Sequence, residues 1–599
     1  MYLLGTLVVM ATTDWSKGGP GYEYWWAELL VDVFLVCCLL MVIPKKIRRW
    51  VRVVFAVVAY VLALVDLFCY VKFGSTITPT MLLLVGETNS QETSEFFRSY
   101  FSFDLLAGPV GWVLLLAMGH LAIVVVQRLT GLKGWLRRLK ERIPDVALSV
   151  CHVMLPLLLV VALCVSAVLC ADNKQAFARL MTHRDIGSVE HELTRTDRVT
   201  LYQPLYRLAF SIRANQLASQ QLTQIIDHID EAQVDSCSFR SPEIVMIVGE
   251  SYNKRHAQLY GYDKETTPRQ VAMAKEGNLV PFTNVIAPWN LTSFVFKLMF
   301  SLYAVGDEGD WCDYPLFPVL FKEAGYEVDF FTNQFLPQAK EAVYDFSGGF
   351  FLNNPTLSQA MFDRRNHKLH YFDEGLLKEI GVRSEENSDS VNPRLTIVHL
   401  KGQHVDYRTR CPKSKQHFKR ADYDRPKLSK KELQDLAYYD NATRYNDSIV
   451  AEIVHRYENR NVIIVYTPDH GEEVYNDDVH LHGRLHNDVI DCRLAHEEFD
   501  IPFWIWCSPS YRQQHPDLWQ TIRESKDKRY MIDALPHLLL YLAGIHTPFY
   551  RERLNILSPT YDEGRPRILK GYANYDELTR EQVRMPESSQ FSPLPHYPK

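Results

Sequence analysis

The sequence predicts a chain in two parts: an N-terminal bundle of membrane-spanning α-helices, then an α/β domain with a mainly parallel central sheet flanked by helices. Two observations carry that prediction. Nearly all long apolar runs fall before about residue 172, and beyond about residue 242 short β-branched runs alternate with segments of helical period. At 599 residues the chain exceeds one ordinary domain. Its averages, 47% hydrophobic and 23% charged, conceal the asymmetry. A net charge of -6 gives no electrostatic ground for a nucleic-acid partner.

Residues 1–171 read as the transmembrane domain. Runs at 52–71, 105–126 and 147–170 each approach the roughly 20 apolar residues that cross a bilayer. A fourth, at 27–44, carries Glu28 and Asp32 at one end. Residues 1–12 are too short to span and read as part of a span, with neither the basic flank nor the cleavage site of a signal peptide. The segments KKIRRWVR (45–52) and RLTGLKGWLRRLKER (128–142) are rich in Lys and Arg and belong on the cytoplasmic side. The loop 72–103 then faces outward, as does everything after Cys170. Asp66 and His120 lie within spans, where an ionisable group either serves function or faces a neighbouring helix. Residues 172–241 read as amphipathic linker helices at the membrane surface.

The second domain is expected over 242–560. The runs EIVMIVGES, EVDFFTNQ, RLTIVHLKGQH, NVIIVYTPDHGEE and IPFWIWCSP read as strands, with helices such as 430–457 between them. Ligands bind such sheets outside the carboxyl ends of the strands, where these runs place Glu250, Asn333, His404, Asp469 and His470. Residues 561–599 read as a C-terminal extension whose Pro/Ser-rich end is disordered. The 11 cysteines show no CxxC pair; an extracytoplasmic second domain would accommodate one or two disulfides.

Taken singly, the motifs are weak. Asp469-His470 offers metal ligands, yet Asp-His pairs more often cap helices. Glu250 can equally cap the helix that follows it, and Thr292, where a helix begins, fits an N-cap or first-turn role. Together they define more. A threonine at a helix N-terminus facing Glu, Asp and His on a metal is an activated hydroxyl, and the free N–H groups of the helix receive phosphate oxygens.

IVGESYNKRHAQLYGYDKETTP, the segment ending in MFSL, HLKGQH, YDNATRYND, TPDHGEE and HLHG, with TPTMLLLVGETNSQE in the outward loop, resemble the membrane phosphoethanolamine transferases of the alkaline phosphatase/sulfatase superfamily. That group includes enzymes that modify lipid A of lipopolysaccharide and confer polymyxin resistance. The resemblance implies an alkaline-phosphatase/sulfatase-like domain in the periplasm on a multi-pass anchor in the bacterial inner membrane. It implies transfer of phosphoethanolamine from phosphatidylethanolamine to lipid A, core oligosaccharide or another envelope glycan, by a ping-pong route through a phospho-threonine. Zn2+ is implied at one tight site formed by Glu250, Thr292, Asp469 and His470, with a second ion during turnover. Thr292 is the implied nucleophile; its match rests on spacing to MFSL, so neighbouring Ser293 stays open. His404, His482 and Glu472 match catalytic or phosphate-contacting positions beside the metal. Thr88 and Glu92, with Asn333, His404 and His482, are implied to bind substrate.

The sequence departs from the family pattern at several points. Trp289 and Lys297 stand close to the positions of a cysteine pair around the nucleophile. Leu84 replaces an asparagine, and FLPQAK a lysine-containing stretch. Two other readings are a phosphoglycerol transferase of the same superfamily and a catalytically silent membrane scaffold. A formylglycine sulfatase is disfavoured, since Cys411-Pro412 continues as Lys-Ser.

Overall fold

The computed structural model describes residues 1–13, 23–73, 76–77, 103–129, 145–183, 189, 201–229, 231–334, 349–380, 393–476, 479–484 and 490–580. These residues form two compact units, one within residues 1–220 and the other within 221–580. The second unit begins within a continuous helix, well before the expected boundary at 242.

The first unit contains α1 (Tyr2–Thr12), α2 (Trp25–Val42), α3 (Lys45–Phe73), α4 (Pro109–Leu129), α5 (Asp145–Leu169), α6 (Ala171–Thr182) and the start of α7 (Pro204–Ile229). Among the described residues, three helices are long and apolar enough to cross a membrane. They become four if the pair Met154–Leu169 and Ala171–Thr182, bent by 56°, is one span. The basic stretch at 45–52, expected as a loop, forms the first turns of α3. Arg48 there donates to the carbonyls of Met41 and Ile43, at 2.6 and 3.0 Å, satisfying acceptors at the C-terminus of α2.

The polar residues of the spans are explained by neighbouring helices. Asp66, fully buried, pairs with Arg207 of α7 and accepts from the Ile77 N–H at 2.9 Å. Glu28 accepts from Asn173 of α6 at 2.6 Å and lies 3.1 Å from Lys174, which also pairs with Asp32. His120 is exposed, 3.4 Å from the Tyr60 hydroxyl.

The second unit is built on a seven-stranded sheet. Its strands are β1 (Glu243–Gly249), β2 (Leu279–Phe282), β3 (Glu327–Thr332), β4 (Arg364–Arg365), β5 (Arg394–His399), β6 (Val462–Pro468) and β9 (Phe503–Cys507), in the order β2-β9-β6-β1-β5-β3-β4. Strands β7 (Glu473–Asn476) and β8 (Val479–Gly483) form a separate hairpin. Five neighbouring strands of the main sheet are parallel, whereas β9 runs antiparallel to both β6 and β2. Both faces are covered: Ile244, Met246 and Val248 of β1 enter one apolar core, Val245 and Ile247 the other. That is the period-2 logic of a strand buried on both sides, and it accounts for the unbroken apolar runs.

Two expectations are corrected here. Residues 561–580 are not an extension: Leu569 and Tyr575 pack with Ile490, Leu494 and Met531, and Arg567 pairs with Asp576; residues 581–599 lie outside the described set. No disulfide forms among the described cysteines. Cys237, Cys312, Cys411, Cys492 and Cys507 are all free thiols, and Cys312, Cys411 and Cys507 are buried.

Asp66→Ala should therefore destabilise the first unit by about 3–5 kcal/mol, since it leaves the Arg207 guanidinium buried without its carboxylate. Pairing it with Arg207→Met should recover part of the loss, as read from thermal unfolding of the full chain in detergent.

Candidate metal and nucleophile centre

Four adjacent parallel strands, β6-β1-β5-β3, end at one edge of the sheet. The chain leaves them at Asp469–His470, Glu250, Lys401–His404 and Asn333–Gln334 respectively. The β1–β6 ladder pairs Gly249 with Pro468, so Glu250 and Asp469 emerge side by side. The backbone continues the lock: Asp469 N–H donates to the Gly249 carbonyl at 3.2 Å, and Tyr252 N–H to the His470 carbonyl at 2.9 Å.

Local conformation aims the side chains. Ser251 sits in the left-handed region at φ 52, an unfavourable place for a residue with a Cβ. There its hydroxyl donates to Glu250 Oε1 at 2.7 Å and its N–H to Asp469 Oδ1 at 3.1 Å, while the Tyr439 hydroxyl holds its carbonyl at 2.8 Å. Gly402, at φ +49, lets the loop after β5 approach closely: a Cβ would lie 3.0 Å from the Glu250 backbone N and O. A Cβ on Gly471 would fall 2.4 Å from the Glu497 carbonyl oxygen, so TPDHGEE admits no side chain there.

Thr292 is the first residue of α8 (Thr292–Phe300). The first α-helical turn closes with Val295 N–H donating to the Leu291 carbonyl at 3.1 Å, so the N–H groups of residues 292–294 precede the helical ladder. The Thr292 Oγ1 lies 3.4 Å from Glu250 Oε2 and 3.3 Å from His470 Nε2. This contact singles out Thr292 rather than Ser293 as the hydroxyl at the cluster. Asn290 braces the entry turn by donating to Glu498 at 2.5 Å. At the two departures noted above, Trp289 stacks on Phe294 at 4.1 Å, and the Lys297 ammonium lies over Phe294 and Trp311 at 5.2 and 5.9 Å. An aromatic–cation stack thus supports the nucleophile turn.

The donor set fits a divalent metal. Ligand atoms of Glu250, Asp469 and His470 lie within 4.8 Å of one another, and all three residues are buried. His470 Nδ1 is 2.6 Å from the Gly471 carbonyl, which fixes the proton there and leaves the Nε2 lone pair facing Asp469 Oδ2 (3.2 Å) and Glu250 Oε1 (3.6 Å). Asp469 Oδ2 is buried without a hydrogen-bond donor. Acceptors converge here, and N/O donors from Glu, Asp, His and Thr suit zinc-like coordination with bonds of about 2.0–2.2 Å. The electrostatics agree. Burial, then the Glu250 charge, holds the Asp469 carboxyl well above the usual range. Burial alone would raise Glu250 too, but His404, His470 and Arg484 hold it low. Burial with Arg484 pushes His470 down to about 3.

The other predicted residues fall in different places. Glu472 is buried, pushed up to about 7 by burial, and accepts from the Tyr407 hydroxyl at 2.6 Å. His404 stands at the rim; burial lowers its imidazole while Glu250 opposes the shift. His482 is exposed, its Nδ1 2.7 Å from the Tyr475 hydroxyl and its ring 6.1 Å from Tyr407. Asn333 is not at the cluster, because its carboxamide donates to Asp373 at 2.8 Å and accepts from His370 N–H at 2.7 Å. Thr88 and Glu92 lie outside the described residues.

Three residues that the sequence did not single out do reach the cluster. Gln334 Nε2 is 2.9 Å from Glu250 Oε2 and 3.1 Å from His399 Nε2. His399 is fully buried at the end of β5, pushed down to about 4 by burial. Arg484 places Nη1 2.8 Å from His470 Nε2 and Nε 3.8 Å from Glu472. Their only signal was adjacency: Gln334 follows Asn333, His399 lies in the same run as His404, and Arg484 follows HLHG.

Known proteins share sequence with this chain. The family model described as Sulfatase matches residues 242–545, just over half of the chain. Phosphoethanolamine transferase EptC of Escherichia coli K12 is 26% identical over 569 residues, covering 92% of this chain and 89% of that protein. The Kdo(2)-lipid A phosphoethanolamine 7''-transferase of Salmonella typhimurium is 26% identical over 292 residues, 47% of this chain and 48% of that one. Among solved structures, the C-terminal periplasmic domain of Escherichia coli EptC in complex with Zn matches with a TM-score of 0.48 and 28% identity, over 58% of this chain and 95% of that one.

Asp469→Asn should weaken divalent-metal binding by more than the roughly 10–100-fold that loss of an outer-shell partner costs. In the wild type, affinity should fall as pH is lowered, because a proton held on the raised Asp469 carboxyl must leave before a cation enters. His470, neutral down to about pH 3, adds nothing to that slope near neutrality. Chelator competition against zinc at several pH values checks both expectations.

Proposed function

The chain belongs to the sulfatase family, and we propose that it transfers phosphoethanolamine from phosphatidylethanolamine to lipid A or another envelope glycan, through a covalent intermediate on Thr292. The observation that carries this reading is the Thr292 hydroxyl at a helix N-terminus, 3.4 and 3.3 Å from Glu250 and His470. The relatives named for phosphoethanolamine transfer support the choice of head group. The apolar helices support residence in the bacterial inner membrane, with the sheet domain in the periplasm.

Glu250, Asp469, His470 and Thr292 would hold the zinc ion. Bound there, it supplies the positive charge that lowers the pKa of the Thr292 hydroxyl and offsets charge on the phosphoryl oxygens. Every other part of the chemistry falls to the chain itself. Thr292 Oγ1 attacks phosphorus, forming the new O–P bond as the P–O bond to diacylglycerol breaks. Its proton passes toward Glu250 Oε2, 3.4 Å away, since the His470 Nε2 lone pair would be taken by the metal. The N–H groups at the start of α8 receive phosphoryl oxygens. His404, at the rim, donates a proton to the diacylglycerol oxygen. In the second half-reaction an acceptor hydroxyl attacks the same phosphorus and gives its proton to His404, while the P–O bond to Thr292 breaks and Thr292 regains its own. A silent scaffold would be expected to have lost part of the ligand set, and Glu250, Thr292, Asp469 and His470 are all in place.

Intact mass of the full chain after exposure to phosphatidylethanolamine should show a phosphoethanolamine adduct that is absent from Thr292→Ala. An adduct with phosphatidylglycerol instead would make the protein a phosphoglycerol transferase. No adduct from either lipid, together with no bound zinc, would favour the scaffold.

A further inference from the structure

We propose that the segment 401–431, at the rim of the centre, is a docking surface for a polyanionic acceptor, a glycolipid bearing more than one phosphate; this rests on the transfer reading above. The segment carries eleven Lys and Arg against three Asp, in a chain whose net charge is -6. One residue in three is basic there, against about one in nine overall. A surface that served only solubility would mix the signs.

The segment is a built surface rather than a solvated tail. Tyr407, Phe418, Tyr423 and Leu428 are buried with Leu436 and Tyr439 of α9 (Lys430–Tyr457) and with Val474 and Tyr475 of β7. The N–H groups of His417 and Phe418 donate to Asn441 Oδ1 at 2.6 and 2.8 Å, and the Tyr423 hydroxyl to Asp440 at 2.7 Å. With its apolar side chains turned inward, it presents Arg408, Lys413, Lys419 and Arg420 to solvent. Lys430 and Lys431 occupy the first turn of α9, where the helix dipole disfavours cations, so helix stability does not explain them.

Its root is part of the centre. Gln403 N–H donates to the Glu250 carbonyl at 3.1 Å, the Tyr407 hydroxyl to Glu472 at 2.6 Å, and Arg410 to the His404 carbonyl at 2.9 Å. The centre takes up one phosphoryl group at a time, so the remaining phosphates of such an acceptor need a counter-charge outside it. A basic apron rooted in the centre supplies that charge and holds such an acceptor at the mouth, an attraction that salt screens.

The test compares the full chain in detergent with a variant carrying Arg408→Ser, Lys413→Ser, Lys419→Ser and Arg420→Ser. Two quantities are read: binding of labelled bisphosphorylated lipid A in mixed micelles, and the rate at which the preformed adduct is discharged to it. The variant should form the phosphoethanolamine adduct at the wild-type rate, yet bind and discharge to the phosphorylated acceptor about ten-fold less well at low salt. Rising salt should bring the wild type down toward the variant, and acceptor stripped of its phosphates should not distinguish the two. Equal binding by both proteins would overturn the proposal, as would an equal loss with the stripped acceptor. So would phosphatidylglycerol micelles competing as well as lipid A, which would make the surface a general membrane contact. The binding arm needs no turnover: selective binding without any adduct would sink the transfer reading and leave the docking surface standing.

Discussion

Three carboxylates, Glu250, Asp469 and Glu472, are buried at the ends of neighbouring strands, and their mutual repulsion is the constraint that the surrounding structure answers. Two like charges about 4 Å apart repel by about 4 kcal/mol at an effective dielectric near 20. Arg484 brings one positive charge into this group, and His470 is held neutral. Once the raised Asp469 carboxyl gives up its proton the balance is negative, which is the condition that favours a divalent cation. The Thr292 hydroxyl faces Glu250 and His470, so a cation drawn to this group would lie beside the nucleophile and lower the pKa of its hydroxyl.

Holding such a group together demands backbone geometry that the apolar core alone would not select. Ser251 is kept in the left-handed region because its hydroxyl, N–H and carbonyl are all engaged, the first two by the carboxylates it organises. Gly402 and Gly471 allow two loops to press against backbone where any side chain would collide. Tyr439 and Tyr407 extend the arrangement outward, the first holding Ser251 and the second Glu472, with their rings 5.0 Å apart. Local strain at the centre is thus offset by hydrogen bonds to rigid strands and to α9.

The legible part of the site was the part written at strand ends. Glu250, Asp469 and His470 follow unbroken apolar runs, and Thr292 opens an apolar helical segment, so a sheet with its ligands at the carboxyl edge could be read directly. What the sequence left hidden depends on orientation and on partners. Asn333 and Gln334 are neighbours that reach different partners, Asp373 for one and Glu250 for the other. Composition cannot rank them. Strand direction was equally hidden: β9 has the same apolar pattern as β6 but runs the opposite way. The boundary at 220/221 falls within a continuous helix, where no turn residue marks it.

Buried charge elsewhere in the chain obeys a different rule, and the contrast separates support from function. In the first unit Asp66 has Arg207, and Glu28 and Asp32 have Lys174 with Asn173 and two tyrosines. In the second, Asp329 is flanked by Arg364 and Arg394, Glu243 meets Arg460, and Asp533 meets Arg565. Each of these carboxylates lies against a cation, Glu28 and Asp32 sharing Lys174, the arrangement that makes a buried ion tolerable. At the edge of the sheet the carboxylates share a single arginine, and an Asp469 oxygen accepts no hydrogen bond. Glu250, Asp469 and Glu472 thus cluster more densely than these paired carboxylates, which suits a ligand that carries its own positive charge. That density of buried carboxylates supports the proposal that this centre is the functional one.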